Sequence, residues 1–413
     1  MTPDVEHLLR IEAPQVLGAL VRRFGHFDLA EDAVQEALLA ASRTWPVDGV
    51  PENPRSWLIR IGYRRMVDHL RADQARRRRE QHVGLGDVAM QEPARRAEPP
   101  SETDDSLTLL LLCCHPALSS VSQVALTLRA VGGLTTAEIA HAYGTVEATM
   151  GTRISRAKQQ LARVGARFTP PTDADRADRI VAVMQVLYLI FNEGYTASAG
   201  DELARVDLTR EAIRLTRMLR DSLPDDPEVA GLLALMLLTE SRRAARTNAD
   251  DALIPLDEQD RDRWNSDLIR EGTQLIDSAW IRREIGPYQL QAAIAAVHAA
   301  APSTDRTDWP QIAALYLWLE RLSPTAPVRL SRVVAVANAY GAARGLALLD
   351  DLNRRHQLDE EPLTRQRERA VRAHLLEMTG DRRGAATLYR EAATLTDNRV
   401  EQRYLLDRAD RLT

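Results

Sequence analysis

Along most of its length this chain places apolar residues three and four positions apart, and that spacing constrains its fold more than any other feature. An α-helix turns once every 3.6 residues, so such spacing lines one helical face. The segments that carry it are rich in Ala, Leu and Arg, which favour helix. Runs of Val, Ile, Thr and Tyr that would read as strands are almost absent. The expectation is an all-α protein. With 413 residues, 45% of them hydrophobic, the chain is long enough for two to four cored domains and too apolar to be disordered.

Several function classes are disfavoured at once. The net charge of −5 is mild, so any attraction to an acidic partner must come from local clusters. No basic start followed by an apolar stretch marks a signal peptide, and no run of about 18 apolar residues marks a membrane span. The two cysteines, Cys113 and Cys114, are adjacent and have no other partner, which fits a reducing cytoplasm. The motif "CCH" (Cys113–His115) lacks further ligands at tetrahedral spacing and reads as buried helix-end thiols, so no metal is expected. No carboxylate pair, Ser/His/Asp set or phosphate-binding Gly loop stands out, so neither catalysis nor a cofactor is expected.

Composition shifts divide the chain. Residues 1–80 form a first helical block, with "VEHLLRIEAPQVLGALVRRFG" stopped by Gly25 and "FDLAEDAVQEALLAASRTW" following. Asp28 with Glu31 three residues on suggests a capping box there. "PVDGVPENP" is turn chemistry, and a third helix is predicted from about Arg55. Residues 81–105 lose periodicity, are Pro-containing and end acidic, as a flexible linker would. Residues 106–168 form a second compact block, residues 169–290 a helical extension, and residues 291–413 a part like a tetratricopeptide array. In that last part Ala residues at close-packing positions and Tyr389 suit a helical hairpin, as do the residues of "VVAVANAYGAARGLALLDDL".

Two segments suit nucleic acid. "LTTAEIAHAYGTVEATMGTRISRAKQQLARVG" (Leu134–Gly165) reads as a helix-turn-helix. Thr135 and Glu138 form a capping box, Ile139 and Ala140 face inward, and Gly144 makes the sharp turn. In the second helix Met150, Ile154, Ala157 and Leu161 fall on one stripe. Thr149, Thr152, Arg153, Arg156 and Lys158 fall elsewhere, where a major groove and its phosphates would meet them. The second segment sets nine Arg against three acids between Arg55 and His82. Arg60, Arg64, Arg71 and Arg78 share roughly one face, suited to phosphate neutralisation, with Trp57 and Ile61 as apolar surface. The preceding loop suits presentation of side chains to an unstacked base. "FDLAEDAVQEALLAA" is acidic and amphipathic, suited to docking on a basic protein surface.

Together these motifs carry a resemblance. "LAEDAVQEALLAASRTWPVDGVPENPRSWLIRIGYRRMVDHLR" resembles region 2 of extracytoplasmic-function (ECF) sigma factors, and "LTTAEIAHAYGTVEATMGTRISRAKQQL" resembles region 4 of the same family. The "CCHPALSSVSQVALTLRAVGG" and "VLYLIFNEGY" segments and the helical tail resemble the subgroup with a tetratricopeptide-like C-terminal extension. The resemblance implies that Glu31, Asp32, Gln35 and Glu36 bind the β′ clamp helices of bacterial RNA polymerase core. It implies that the loop from Pro46 to Pro54, with Asn53, captures a flipped −10 base, and that Trp57, Arg60, Arg64, Asp68 and Arg71 meet −10 DNA. It implies that the second block packs on the β flap and reads the −35 element. Relatives often have Ala-Gln where this chain has Gly151-Thr152, a departure that bears on −35 preference.

The implied function is promoter recognition, −10 melting and transcription initiation, with a tail that regulates. A conventional helix-turn-helix regulator with a ligand- or partner-sensing tail is the competing reading; a helical-repeat scaffold or tail-borne enzyme is a third. The acidic docking helix and the Trp-containing basic helix speak against the second, and the lack of a catalytic constellation against the third. In the tail, "FNEGY" offers Asn192, Glu193 and Tyr195 as a regulatory interface for a protein or peptide. The plainer expectation there is a helix C-cap with a left-handed Gly194, plus domain packing.

Overall fold

The computed structural model describes residues 3–81, 105–143, 145–166, 168, 173–197, 199–200, 203–248, 252–360 and 362–413. These residues form eighteen α-helices and one pair of two-residue strands, as an all-α reading requires. The expected linker of residues 81–105 lies almost wholly outside them, as does the turn residue Gly144. The chain separates into two units, Met1–Leu187 and Tyr188–Thr413.

Unit 1 starts with three packed helices, α1 (Pro3–Phe24), α2 (Phe27–Asp48) and α3 (Pro54–Gln81). Gly25 takes φ +72° and ends α1, as only a residue tolerant of the left-handed region does cheaply. The capping box expected at Asp28 is not formed. His26 is the N-cap and makes no side-chain cap bond, while Asp28 lies in the first turn, where its charge suits the helix dipole. The core between the three helices holds Leu17, Leu20, Leu58 and Met66. A Cβ on Gly62 would stand 2.8 Å from Leu20 Cδ1, so the bare backbone lets α3 lie close against α1.

Four further helices follow in this unit: α4 (Ser106–Cys113), α5 (Ser120–Ala130), α6 (Thr136–Ala142) and α7 (Glu147–Arg163). α4 carries five leucines in its eight residues and is buried along most of its length. Ser119 caps α5 by accepting a hydrogen bond from Ser122 N. Leu126, Leu128, Ile139 and Met150 are among the largest fully buried side chains. α8 (Asp173–Tyr195) runs through the boundary between the units.

Unit 2 continues with α9 (Val206–Ser222), α10 (Pro227–Glu240), α11 (Ser266–Trp280), α12 (Pro287–Ala300), α13 (Trp309–Leu322), α14 (Ala326–Tyr340), α15 (Ala342–His356), α16 (Pro362–Thr379), α17 (Arg382–Ala393) and α18 (Arg399–Arg411). Small side chains let the helices approach. Ala373, Ala385, Ala386, Ala392 and Ala393 form one core with Tyr389, whose hydroxyl donates to Glu377 at 2.8 Å. Gly380, at φ +88°, turns α16 into α17. The last hairpin is tied back to the start of the unit. Strand β1 (Ala199–Gly200) pairs in parallel with β2 (Asp397–Asn398), and Asn398 Nδ2 donates to the Ala197 carbonyl at 2.8 Å.

Candidate nucleic-acid interface

α3 presents its basic face to solvent. Arg60, Arg64, Asp68 and Arg71 are all exposed, and the side chain of Arg78 lies outside the described residues. Trp57 is half-buried and packs edge-on against Trp45, ring centroids 5.5 Å apart, so its ring is held by the end of α2. The expected loop from Pro46 to Pro54 is shorter in fact. α2 runs through Pro46 to Asp48, and the open segment begins at Gly49, φ +86°. Pro46 sits in the last turn; lacking an N–H it cannot donate to the carbonyl four residues back, and the helix ends two residues later at Asp48. Asn53 uses its Oδ1 to accept from Ser56 N at 2.9 Å, so it caps α3 and stays exposed.

The helix-turn-helix forms as its sequence dictates. Thr135 Oγ1 accepts from Glu138 N at 3.1 Å, and Glu138 Oε2 accepts from Thr135 N at 2.6 Å, completing the box. Met150, Ile154, Ala157 and Leu161 form the buried stripe of α7. Thr149, Thr152 and Arg156 are exposed, and Arg153 is half-buried. Thr152 Oγ1 donates back to the Ala148 carbonyl at 2.9 Å. Gly151 has open space, since a Cβ there would meet only Thr136 Cγ2, at 3.7 Å.

Lys158 stands apart from the rest of that set. Its ammonium donates to Glu31 Oε2 and Asp32 Oδ1, both at 2.9 Å. Arg129 Nε donates to the other Glu31 oxygen at 2.8 Å. Glu31 is only 2% exposed. Burial works against the Lys158 charge, but the two carboxylates outweigh it and hold the pKa above its usual value. Two further contacts join α1 to the start of α4: Gln15 donates to Ser106 Oγ at 2.9 Å, and Arg22 pairs with Asp105 at 2.8 Å. Glu36 instead pairs within the first three helices, with Arg65 at 3.1 Å and His69 at 3.2 Å. Gln35 is half-buried. The four residues expected on one polymerase-facing surface are therefore divided among three environments.

Arg129 was not among the expected site residues. Its signal was available: it is the one cation in the otherwise neutral helix "SVSQVALTLRA". Glu31 likewise lies on the buried stripe of Phe27, Val34 and Ala37, where a carboxylate demands a cationic partner. What periodicity cannot supply is that the two meet.

The other singled-out motifs are also placed. Cys113 and Cys114 are buried at the end of α4. Burial pushes the Cys114 thiol up to about 12 and Cys113 in the same direction, so neither is poised as a thiolate. In "FNEGY", Gly194 is not a left-handed cap. It lies inside α8, and a Cβ there would approach Thr209 N to 2.6 Å and Leu208 Cβ to 2.8 Å. The bare backbone lets α8 meet the start of α9, where Arg205 N donates to the Gly194 carbonyl at 2.7 Å. Asn192 is exposed, Glu193 half-buried, and the Tyr195 ring stacks on Phe191 at 5.8 Å.

Comparison with known proteins adds to this geometry. The Sigma-70 region 2 family matches residues 8–77, and the Sigma-70 region 4 family matches residues 108–161. A family of unknown function matches residues 179–280. An uncharacterized protein of Rhizobium meliloti is 41% identical over 97% of this chain and 93% of its own length. The probable ECF RNA polymerase sigma factor SigI of Mycobacterium tuberculosis is 31% identical over 36% of this chain and 52% of its own length. The ECF RNA polymerase sigma factor SigK of Mycobacterium ulcerans is 28% identical over 36% of this chain and 78% of its own length. No solved structure matches the chain.

Proposed function

The chain belongs to the ECF sigma factors, and from that premise we propose that it binds bacterial RNA polymerase core, selects a promoter and opens its −10 region. The observation that carries this reading is the pairing, in family order, of an exposed basic helix with a helix-turn-helix. α3 turns Arg60, Arg64 and Arg71 outward, and α7 turns out Thr149, Thr152 and Arg156. The first set suits the phosphates of −10 DNA, with Asp68 beside it, Asn53 at the helix start and Trp57 fixed against Trp45. The second set, with Arg153, suits a −35 major groove.

Core binding falls to the acidic face of α2, through Asp32, Gln35 and Glu36 against the β′ clamp helices, with Glu31 beneath; the region-4 helices take the β flap. Melting needs no bond chemistry. A captured base and neutralised phosphates offset the stacking that is lost. The protein works where core polymerase works, in the cytoplasm, and among the described residues no helix is long and apolar enough to cross a membrane. The domain limits follow the sequence: residues 1–80 and 106–168 contact polymerase and promoter, residues 81–105 link them, and residues 169–290 and 291–413 form a tetratricopeptide-like extension that regulates them, by way of a protein or peptide ligand. Asp32 and Lys158 hold each other here. Use of Asp32 by polymerase and of Lys158 by DNA requires that contact to open.

In vitro transcription with core polymerase and a genomic promoter pool tests the proposal. Specific initiation that depends on this protein is expected. Its absence, with the core shown active by another sigma factor, overturns the reading. Arg71→Ala should lower promoter opening while leaving core affinity intact.

A further inference from the structure

Unit 2 gathers arginines around Tyr195 without supplying acids to match. The guanidinium carbon of Arg246 lies 3.7 Å from the Tyr195 ring centroid and that of Arg242 lies 5.8 Å from it. Arg246 is buried, and its hydrogen bonds go to neutral oxygens, the Tyr195 carbonyl and Thr196 Oγ1. The short helical turn at Arg243–Ala245 packs against the one at Arg261–Arg263, and Asn265 N donates to the Ser241 carbonyl at 2.8 Å. That pairing brings Arg261 into the neighbourhood of Arg242. Arg261 stacks on Trp264 at 4.8 Å and donates to the carbonyls of His298 and Ala301, again neutral groups.

The acids nearby do not balance this charge. Glu240 pairs with Arg243 at 2.8 Å. Among the described residues no carboxylate lies within ion-pair distance of Arg242, Arg246 or Arg261, and the side chain of half-buried Arg242 makes no hydrogen bond. The Tyr195 hydroxyl is buried and, among the described residues, has no hydrogen-bond partner. Glu240 is the one buried carboxylate that also acts on Arg246, and sequestered like charges that outnumber their counter-charge are costly. The cost is visible in the pKa directions. Burial lowers Arg246, with Tyr195 and Glu240 opposing it and Arg242 adding to it; burial, then Arg242, lowers Arg261; and burial with Arg242 and Arg261 lowers His298 to about 4.

We propose that Arg242, Arg246 and Arg261, with the Tyr195 hydroxyl, form a binding site for a small phosphate dianion, free or as a monoester. Three guanidiniums left over after the Glu240–Arg243 pair match a doubly charged oxyanion better than a carboxylate. Arg246 and Arg261 are already fixed by their backbone acceptors, so they are pre-organised. Arg242 is the unengaged arm that closes on the ligand. Such a ligand would neutralise the cluster where four separate chain segments meet, and so would couple a small-molecule signal to the packing of unit 2. The site stands independently of the promoter-reading role.

Calorimetric titration of the full-length protein with inorganic phosphate and with phenyl phosphate, at fixed ionic strength, tests it. Saturable binding of either at one site per chain is expected, and the tighter of the two tells free phosphate from a monoester. Arg242→Gln should weaken it roughly tenfold or more, while Arg354→Gln, an exposed arginine of α15 that pairs with Asp351 outside this cluster, should not. Tyr195→Phe keeps the ring beneath Arg246 and removes only the hydroxyl, so it should weaken binding without unfolding the unit. No binding of either probe, or binding unchanged in both Arg242→Gln and Tyr195→Phe, overturns the proposal.

Discussion

Glu31 is buried on α2 between Arg129 and Lys158, and its surroundings make it the most consequential side chain of unit 1. Removing its charge leaves two largely buried cations facing each other, a loss of about 3–5 kcal/mol for a broken buried pair. Removing Lys158 instead leaves Glu31 with Arg129, so Lys158→Met should cost far less, roughly 1 kcal/mol. Urea denaturation followed by circular dichroism should rank Glu31→Gln well below Lys158→Met. Equal midpoints would mean that the triad contributes nothing to unit 1. If the contact must open for polymerase, Lys158→Met should also bind core more tightly than the parent, since core affinity does not require the −35 contact. The sequence singles out Glu31 and Lys158 as charged candidates but not Arg129. Their mutual contact was not legible there, because Glu31 and Lys158 are 127 residues apart and no local period encodes that distance.

At the scale of elements, two glycines in helices make opposite predictions. Gly151 in α7 has room for a methyl, its nearest contact being Thr136 Cγ2 at 3.7 Å. Gly151→Ala should therefore stabilise the helix by up to about 1 kcal/mol through backbone entropy alone. Gly194 in α8 has no room, with Thr209 N at 2.6 Å from a built Cβ. Gly194→Ala should destabilise by roughly 1–3 kcal/mol, because backbone rather than a flexible side chain must yield. Thermal melts of the two variants should move in opposite directions, and a shared direction would refute this account of the packing. These residues also mark how far local rules reach. The box at Thr135 and Glu138 and the α7 stripe depend on neighbours within four residues, and both form as expected. At Asp28 the box fails, because the helix starts two residues too early for Asp28 to be the N-cap. Gly194 looked like a terminator, yet the chain stays helical there because α9 packs across it.

For the whole molecule, α8 decides how regulation by the tail is tested. Its first half belongs to unit 1 and carries the buried Ile180, Val183, Met184 and Leu187. Arg179 lies near Cys114 and His115: burial raises the Cys114 thiol against its charge, and burial lowers His115 with its charge adding to the effect. Its second half belongs to unit 2, where Tyr188 donates to Gln291 at 3.0 Å and packs on Tyr288. A chain ended at Phe168, where composition alone would cut, strips those apolar turns from unit 1. Activity lost there reports broken packing as much as lost control. A chain ended at Thr196 keeps all of α8 and removes only the helices that follow it. Under the regulatory proposal, promoter-dependent transcription by this longer fragment should differ several-fold from the full-length protein, while the shorter fragment melts at a lower temperature than the longer one. Equal transcription by the longer fragment and the parent, at matched core and promoter, would remove the regulatory role from the tail and leave it a structural extension of the sigma factor.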